Sequence, residues 1–169
     1  MTAQFLIIAV LPAMLLAAAC WDLTSFTIPN PLTLALAATF GLFALVLGLS
    51  AAGLGLHLAA GLIALAIGFA LFAAGYIGGG DAKLYAGAAL WLGMHDLVVY
   101  TLIATILGGF LTLTLLGLRQ LPLPAGLARQ GWILKLHDSR SGIPYGVALA
   151  AAVFVILPQA EILRLAAAG

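Results

Sequence analysis

Long apolar runs separated by short polar clusters make up most of the chain. Six can be delimited, at about residues 4–21, 31–49, 54–76, 82–94, 97–118 and 143–157, the last reaching towards Leu165. A bilayer core about 30 Å thick needs roughly 20 apolar residues of α-helix to cross it. The runs show no period-2 alternation and are rich in Leu, Ala, Gly and Phe, so they predict helices and not barrel strands. The expected fold is therefore all-α: a polytopic membrane bundle of about six transmembrane helices forming a single domain over residues 1–169. Pro31 fits the first turn of the second helix. Gly41, Gly61, Gly68, Gly108 and Gly109 would let neighbouring helices approach closely. Trp21, Trp91 and Tyr100 fall near run ends, where aromatic rings anchor at the headgroups. Residues 121–136 mix Leu127, Trp132, Ile133 and Leu134 with Arg129 and Lys135, which predicts a partly helical segment lying at the membrane surface.

Composition sharpens this picture. The chain is 65% hydrophobic and 7% charged, with mean hydropathy +1.26, whereas a soluble domain carries about 25% charged residues. Lipid must cover most of its surface, and 169 residues leave no room for a separate soluble domain. No basic run or aromatic–basic repeat points to nucleic acid. Cys20 is the single cysteine, which excludes an internal disulfide and a cysteine zinc cluster, and it reads as a small packing residue. No positive charge precedes the first apolar run, so that run is expected to be a retained span and not a cleaved signal. With the N-terminus outside, segments 22–30, 77–81 and 119–142 face inwards. They and their flank then hold Lys83, Arg119, Arg129, Lys135 and Arg140, five of the six basic side chains, with Arg164 outside.

Charge at membrane depth costs about 2.5–3.5 kcal/mol per group and marks functional candidates. Asp22 ends the first run and Asp81 precedes the fourth, so this topology sets both on the cytoplasmic face at similar depth. Two carboxylates held close cannot both ionise easily, so one stays protonated while the other is a carboxylate. The carboxylate can take a proton from a water that attacks a peptide carbonyl, and the protonated partner can hydrogen-bond the resulting oxyanion. Such chemistry needs no cofactor and no metal. Gly78, Gly79 and Gly80 could take positive φ and let a substrate backbone approach Asp81, which would cap the fourth helix. Taken alone, Gly-Gly-Gly-Asp is better read as a flexible turn with a capping aspartate.

The order of motifs goes further. Asp22 followed by Ile28-Pro29-Asn30, then Gly78-Gly79-Gly80-Asp81 with Lys83, then Ile143-Pro144-Tyr145-Gly146, resembles the type IV prepilin peptidases, the GxGD-type membrane aspartic proteases of the A24 family. The resemblance covers nearly the whole chain. It implies that Asp22 and Asp81 are the catalytic dyad. It implies removal of a short basic leader from prepilins just before their hydrophobic helix, at the cytoplasmic face of the bacterial inner membrane. The larger members carry paired CxxC motifs in a cytoplasmic insertion and are associated with N-methylation of the pilin. With one cysteine this chain looks like the short subclass serving Flp/Tad-type pili, for which peptidase but no methyltransferase activity is expected. The implied partners are a prepilin substrate and membrane lipids; the oligomeric state is left open.

The remaining polar residues have plainer readings. Lys83 is equally a positive-side anchor or a group that tunes the dyad or meets a phospholipid. Pro29 and Asn30 set the turn into the second helix and cap it. Pro144 opens the sixth helix, and with Tyr145 and Gly146 it could line a substrate entrance. His57 and His95 read as packing or interface residues at the outer side, and Asp96 as a loop residue capping the fifth helix. Glu161 and Arg164 have the spacing of an exposed helix pair. His137 and Asp138 lack a third ligand for a metal, and the serines lack a base. Two rival functions remain: a small transporter or proton channel using the two carboxylates as relays, and a non-enzymatic pilus-assembly subunit. A presenilin-like protease acting within a span shares the Gly-Xaa-Gly-Asp element but fits the other motifs less well.

Overall fold

A computed structural model describes residues 2–168, and every regular element among them is helical. The chain runs through α1 (Thr2–Ser25), α2 (Asn30–Val46), α3 (Ala51–Ala73) and α4 (Gly79–Leu118). A 3-10 turn at Leu127–Arg129 then leads to α5 (Gly131–His137), α6 (Tyr145–Ile156), a second 3-10 turn at Leu157–Gln159, and α7 (Glu161–Ala168). Four helical segments are long and apolar enough to cross a membrane: Ile7–Ser25, Ala51–Ala73, Gly79–Leu118 and Tyr145–Ala167. The apolar α2 is shorter, at 17 residues. This is the build of a multi-pass membrane protein.

The 40-residue α4 is not straight. Gly93 has φ 78° and ψ 178° inside it, a conformation that is essentially glycine's alone. In a continuous helix, residues sixteen apart would be separated by about 24 Å, yet the Tyr85 hydroxyl lies 2.6 Å from that of Thr101, and the Tyr85 and Tyr100 rings stack at 5.4 Å. The chain therefore folds back at Gly93 into a helical hairpin. The break falls beside the predicted boundary between the fourth and fifth apolar runs. The six runs thus map onto α1, α2, α3, the two arms of α4, and α6 with its continuation through α7.

The α4 hairpin is the centre of the bundle. α3 and α6 pack along it, α6 also lies on α1, and α2 leans mainly on α4 and α1, meeting α3 where the Phe40 and His57 rings pack at 5.1 Å. Close approach is made by small residues. A Cβ on Gly68 of α3 would come within 3.0 Å of the Ala82 Cα, one on Gly61 within 3.2 Å of Leu90, and one on Gly87 within 2.9 Å of Leu36. At Gly108 the Tyr145 ring occupies the place a side chain would take. Gly41 and Gly109 face open space and make no such contact.

Around the hairpin's tip the core contains what the sequence assigned to the headgroup region. Trp91 and Tyr100 are fully buried. The Trp91 indole donates to the Leu36 carbonyl at 2.8 Å and packs against Phe40 and Phe43. Only Trp21 is exposed as an anchor should be. His57 is a packing residue, as expected. Its ring lies over the bare face of Gly93, and Nδ1 bonds the Leu90 carbonyl at 2.8 Å, so that nitrogen must carry the proton. Asp96 is buried and caps a different helix from the one expected. One carboxylate oxygen accepts from His95 and the other from the Glu161 amide at 2.9 Å, at the start of α7. The His95–Asp96 hydrogen bond is the one contact at salt-bridge distance among the described residues, so the suggested Glu161–Arg164 pair is not formed. Cys20, expected to pack inside, is exposed.

Candidate active site

Three helix ends meet at one pole of the bundle: the last turn of α1 and the first turns of α4 and α6. Asp22 lies on α1 just before the chain leaves the helix through Phe26, which takes φ 59° and donates back to the Asp22 carbonyl at 2.8 Å. That end is pinned by α5. Lys135 reaches the Ser25 carbonyl at 2.8 Å with its ammonium 4.9 Å from the Phe26 ring. The segment predicted to be partly helical therefore closes over the end of α1.

Asp81 occupies the third position of α4, not its cap. Gly78 is the N-cap, and its amide donates to Asp81 Oδ2 at 3.0 Å. Gly79 and Gly80 are already helical, and none of the three glycines has positive φ. Their requirement is spatial. A Cβ on Gly80 would stand 3.0 Å from the Ile28 Cβ and 3.1 Å from its backbone nitrogen, and one on Gly79 would touch the Phe72 ring. The stretch is thus a close-packed helix start, not the flexible turn that glycines suggest in isolation.

α6 supplies the third part. Pro144 caps it, as expected. The Gly146 amide, in its first turn, donates to Asp22 Oδ2 at 2.8 Å. Asp81, on the neighbouring helix start, lies close enough to feel the charge of Asp22. A side chain at Gly146 would collide with Asp22 and with the Ile28 Cδ1, both at 2.8 Å from its Cβ. Ile28 is therefore a wedge between Gly80 and Gly146, holding the two helix starts around Asp22. The sequence quoted Ile28 only as part of a motif. The signal that could have singled it out is the pair of glycines on either side of it in the fold.

Both carboxylates are buried, Asp22 at 4% and Asp81 at 7% exposure. Burying a charge is costly unless its lone pairs are met. Here the N-terminal dipoles of α4 and α6 and one amide each offset that cost. One oxygen remains outstanding: Asp81 Oδ1 is buried with no hydrogen-bond partner among the described residues. Two carboxylates on different helices, each oriented by a backbone amide on Oδ2 and leaving its Oδ1 uncommitted among the described residues, can share a proton and present a basic oxygen to a third group. No group of three or more His, Cys, Asp or Glu residues suited to a metal occurs among the described residues.

The other expected site residues separate into two sets. Tyr145 stays near the dyad, its ring against Gly108 and its hydroxyl 3.4 Å from the Ala104 carbonyl. It helps line a small cavity of about 80 Å³ with Tyr85, Thr101 and Thr105, a hydroxyl cluster that the sequence did not single out. Lys83 lies on another face of α4, opposite Asn30 at the start of α2. Asn30 does not cap α2, whose N-cap is Pro29 without a side-chain bond; its Oδ1 accepts from the Lys83 ammonium at 2.7 Å. His137 and Asp138 lie at the end of α5, and Asp138 turns its carboxylate back onto the Arg140 amide at 2.9 Å.

No curated protein and no solved structure matches the chain. A family profile does, over residues 9–113, more than half of the length and including Asp22, Lys83 and the whole Gly78–Asp81 stretch. With two buried carboxylates drawn together at a helix-end junction inside a membrane bundle, this chain belongs to the type IV leader peptidase family.

Proposed function

We propose that this protein is an aspartic endopeptidase that removes the short basic leader from Flp-type prepilins, with Asp22 and Asp81 as its catalytic pair. The proposed setting is the cytoplasmic face of the bacterial inner membrane, with the N-terminus outside. The observation that carries the reading is the burial of Asp22 and Asp81 where the starts of α4 and α6 meet the end of α1, Asp22 held by the Gly146 amide and Asp81 by that of Gly78, at the pole of the bundle that also holds Lys83, Arg119, Lys135 and Arg140.

In the proposed reaction one aspartate is ionised and the other protonated. The carboxylate takes a proton from water as the water oxygen bonds to the scissile carbonyl carbon, and the protonated partner hydrogen-bonds the carbonyl oxygen as it becomes an oxyanion. Collapse of the tetrahedral intermediate breaks the C–N bond. The proton passes to the leaving amine, which is the new pilin N-terminus, and the leader departs as a carboxylate. Asp81 Oδ1, buried and without a hydrogen-bond partner among the described residues, is the oxygen best suited to carry the proton that meets the carbonyl. The Gly146 amide favours and fixes Asp22 as the carboxylate, the partner that would face the water. Nothing in this scheme calls on a metal or cofactor, and the product amine is expected to stay unmethylated.

Co-expression with a Flp-type prepilin tests the proposal, with leader removal read by gel shift and mass spectrometry and membrane levels checked for each variant. Wild type should cleave, and Asp22→Asn and Asp81→Asn should each reduce cleavage by several orders of magnitude. Cleavage that survives either substitution would sink the two-aspartate mechanism. Absence of cleavage by a well-expressed wild type across a panel of prepilins would favour a non-enzymatic role in pilus assembly.

A further inference from the structure

α2 and α3 both lean on α4 and meet each other through Phe40 and His57; nearer the α2 and α4 starts an open groove of about 580 Å³ lies between them. Its floor is one face of the first arm of α4, where Lys83, Ala86, Gly87 and Leu90 follow i, i+3, i+4, i+7 spacing. Its walls are apolar, with Leu34 and Ala37 on one side and Leu58, Leu62 and Leu65 on the other. The only polar side chains at its lining belong to Asn30, Thr33 and Lys83, all at the end nearest the α2 and α4 starts. Thr33 is turned inwards onto the Asn30 carbonyl.

We propose that this groove holds one anionic phospholipid, its acyl chain against the apolar walls and its phosphate on Lys83 and Asn30. Three features single out this occupant. The first is charge. The Lys83 ammonium gives one proton to Asn30 Oδ1 at 2.7 Å and forms no ion pair with a carboxylate among the described residues, so two donors remain on a cation at the edge of a bilayer. Lysine has no acceptor, so the Asn30 oxygen must face it, which turns the Asn30 amide NH2 outwards as a further donor. A phosphate answers both, as at basic pockets between transmembrane helices. The second is length. From Lys83 to Leu90 the floor runs about 10 Å, within the about 15 Å of one leaflet and far short of the about 30 Å that a spanning partner helix would occupy. The third is sign. A basic peptide leader would be repelled by Lys83, whereas an anionic headgroup is drawn to it. The proposal rests on the membrane-spanning character of the chain alone and is independent of the peptidase reading.

The test is native mass spectrometry of the purified protein in detergent, titrated with phosphatidylglycerol or with phosphatidylcholine of the same acyl chains. Wild type should retain one phosphatidylglycerol about fivefold more strongly than phosphatidylcholine, the discrimination expected of one lysine at a membrane surface. Lys83→Gln should bring phosphatidylglycerol down to the phosphatidylcholine level, and Lys83→Arg should keep the preference. Ala37→Trp, at an exposed position of the wall, should fill the groove and lower retention of both lipids. Thermal unfolding of each variant separates a lost lipid site from a lost fold. Equal retention of the two lipids by wild type would overturn the proposal, as would phosphatidylglycerol retention unchanged in Lys83→Gln. Displacement of the bound lipid by a prepilin helix peptide would assign the groove to the substrate instead, and would also overturn it.

Discussion

Replacing Gly146 by alanine sets a methyl group against Asp22, and the structure lets the consequence be followed in steps. The new Cβ would stand 2.8 Å from Asp22 Oδ2 and 3.2 Å from its Cβ, with the Ile28 Cδ1 also at 2.8 Å. Unstrained heavy-atom contacts lie near about 3.5–4.0 Å, so the carboxylate must retreat by several tenths of an ångström to about 1 Å. The 2.8 Å bond from the Gly146 amide then stretches beyond the range in which it counts as a hydrogen bond. Losing a hydrogen bond to a charged group costs about 1.5–3 kcal/mol, which at about 1.4 kcal/mol per decade is roughly a 10- to 150-fold fall in rate. Misplacing a reacting group by about 1 Å leads to a similar figure, about 100-fold. The assay is initial cleavage rate on a prepilin in detergent or in membranes, beside thermal unfolding. Gly142→Ala, where a Cβ meets nothing within 4 Å, serves as control and should cleave like wild type. Adding Ile28→Val to Gly146→Ala removes the clashing Cδ1 and should recover part of the stability, but not the rate, because the collision with Asp22 remains. A well-folded Gly146→Ala protein that cleaves within about twofold of wild type would refute this account of how Asp22 is held.

Other perturbations follow from the same geometry. Gly80→Ala forces a Cβ to within 3.1 Å of the Ile28 backbone nitrogen, and a backbone atom yields less readily than a side chain. The substitution should cost about 1–3 kcal/mol, read as a lowered Tm that Ile28→Ala only partly restores. Trp91→Phe removes the indole bond to the Leu36 carbonyl while keeping most of the ring packing, so it should cost about 1 kcal/mol. Trp91→Ala opens a cavity at the hairpin tip and should cost about 3–5 kcal/mol in chemical unfolding from detergent. Asp96→Ala removes the cap on the α7 amide. It should speed hydrogen exchange across the first turn of α7 by the equivalent of about 1 kcal/mol, with the α4 hairpin unaffected.

Hydropathy alone delimited the helices, because a membrane span is written in composition over a long window. The turn at Gly93 was legible for a related reason, since His95 and Asp96 interrupt the apolar sequence there. Burial was not legible. In water an apolar side chain is drawn inwards, but lipid is as apolar as a protein core and hydrophobicity no longer separates the two faces of a helix. Trp91 and Tyr100 therefore read as surface anchors although they form the core, and Cys20 read as core although it is exposed. At the site, the aspartates stood out because charge is rare in such a sequence. Their orienting groups did not: the Gly146 and Gly78 donors are backbone amides, which leave no side-chain signature. The Asn30–Lys83 bond joins positions 53 residues apart and has no local pattern to betray it. The same reasoning explains why Gly78, Gly79 and Gly80 suggested a flexible turn. A bare residue chosen for closeness and one chosen for positive φ are spelled alike.

The bond from Gly146 to Asp22 spans 124 positions of sequence, and this has a consequence for the order in which the protein comes into being. As the chain is made and inserted from its N-terminus, Asp22 is delivered first, Asp81 two helices later, and the amide that orients Asp22 only after the α4 hairpin is complete. Until α6 docks, the first carboxylate has neither its donor nor the helix dipole that offsets its burial. A nascent chain of α1 to α4 would carry both aspartates and still lack a working pair. On the proposed function, the docking of α6 thus acts as a licence: the pair can work only once a late long-range contact has formed, when α1 to α4 are already in place.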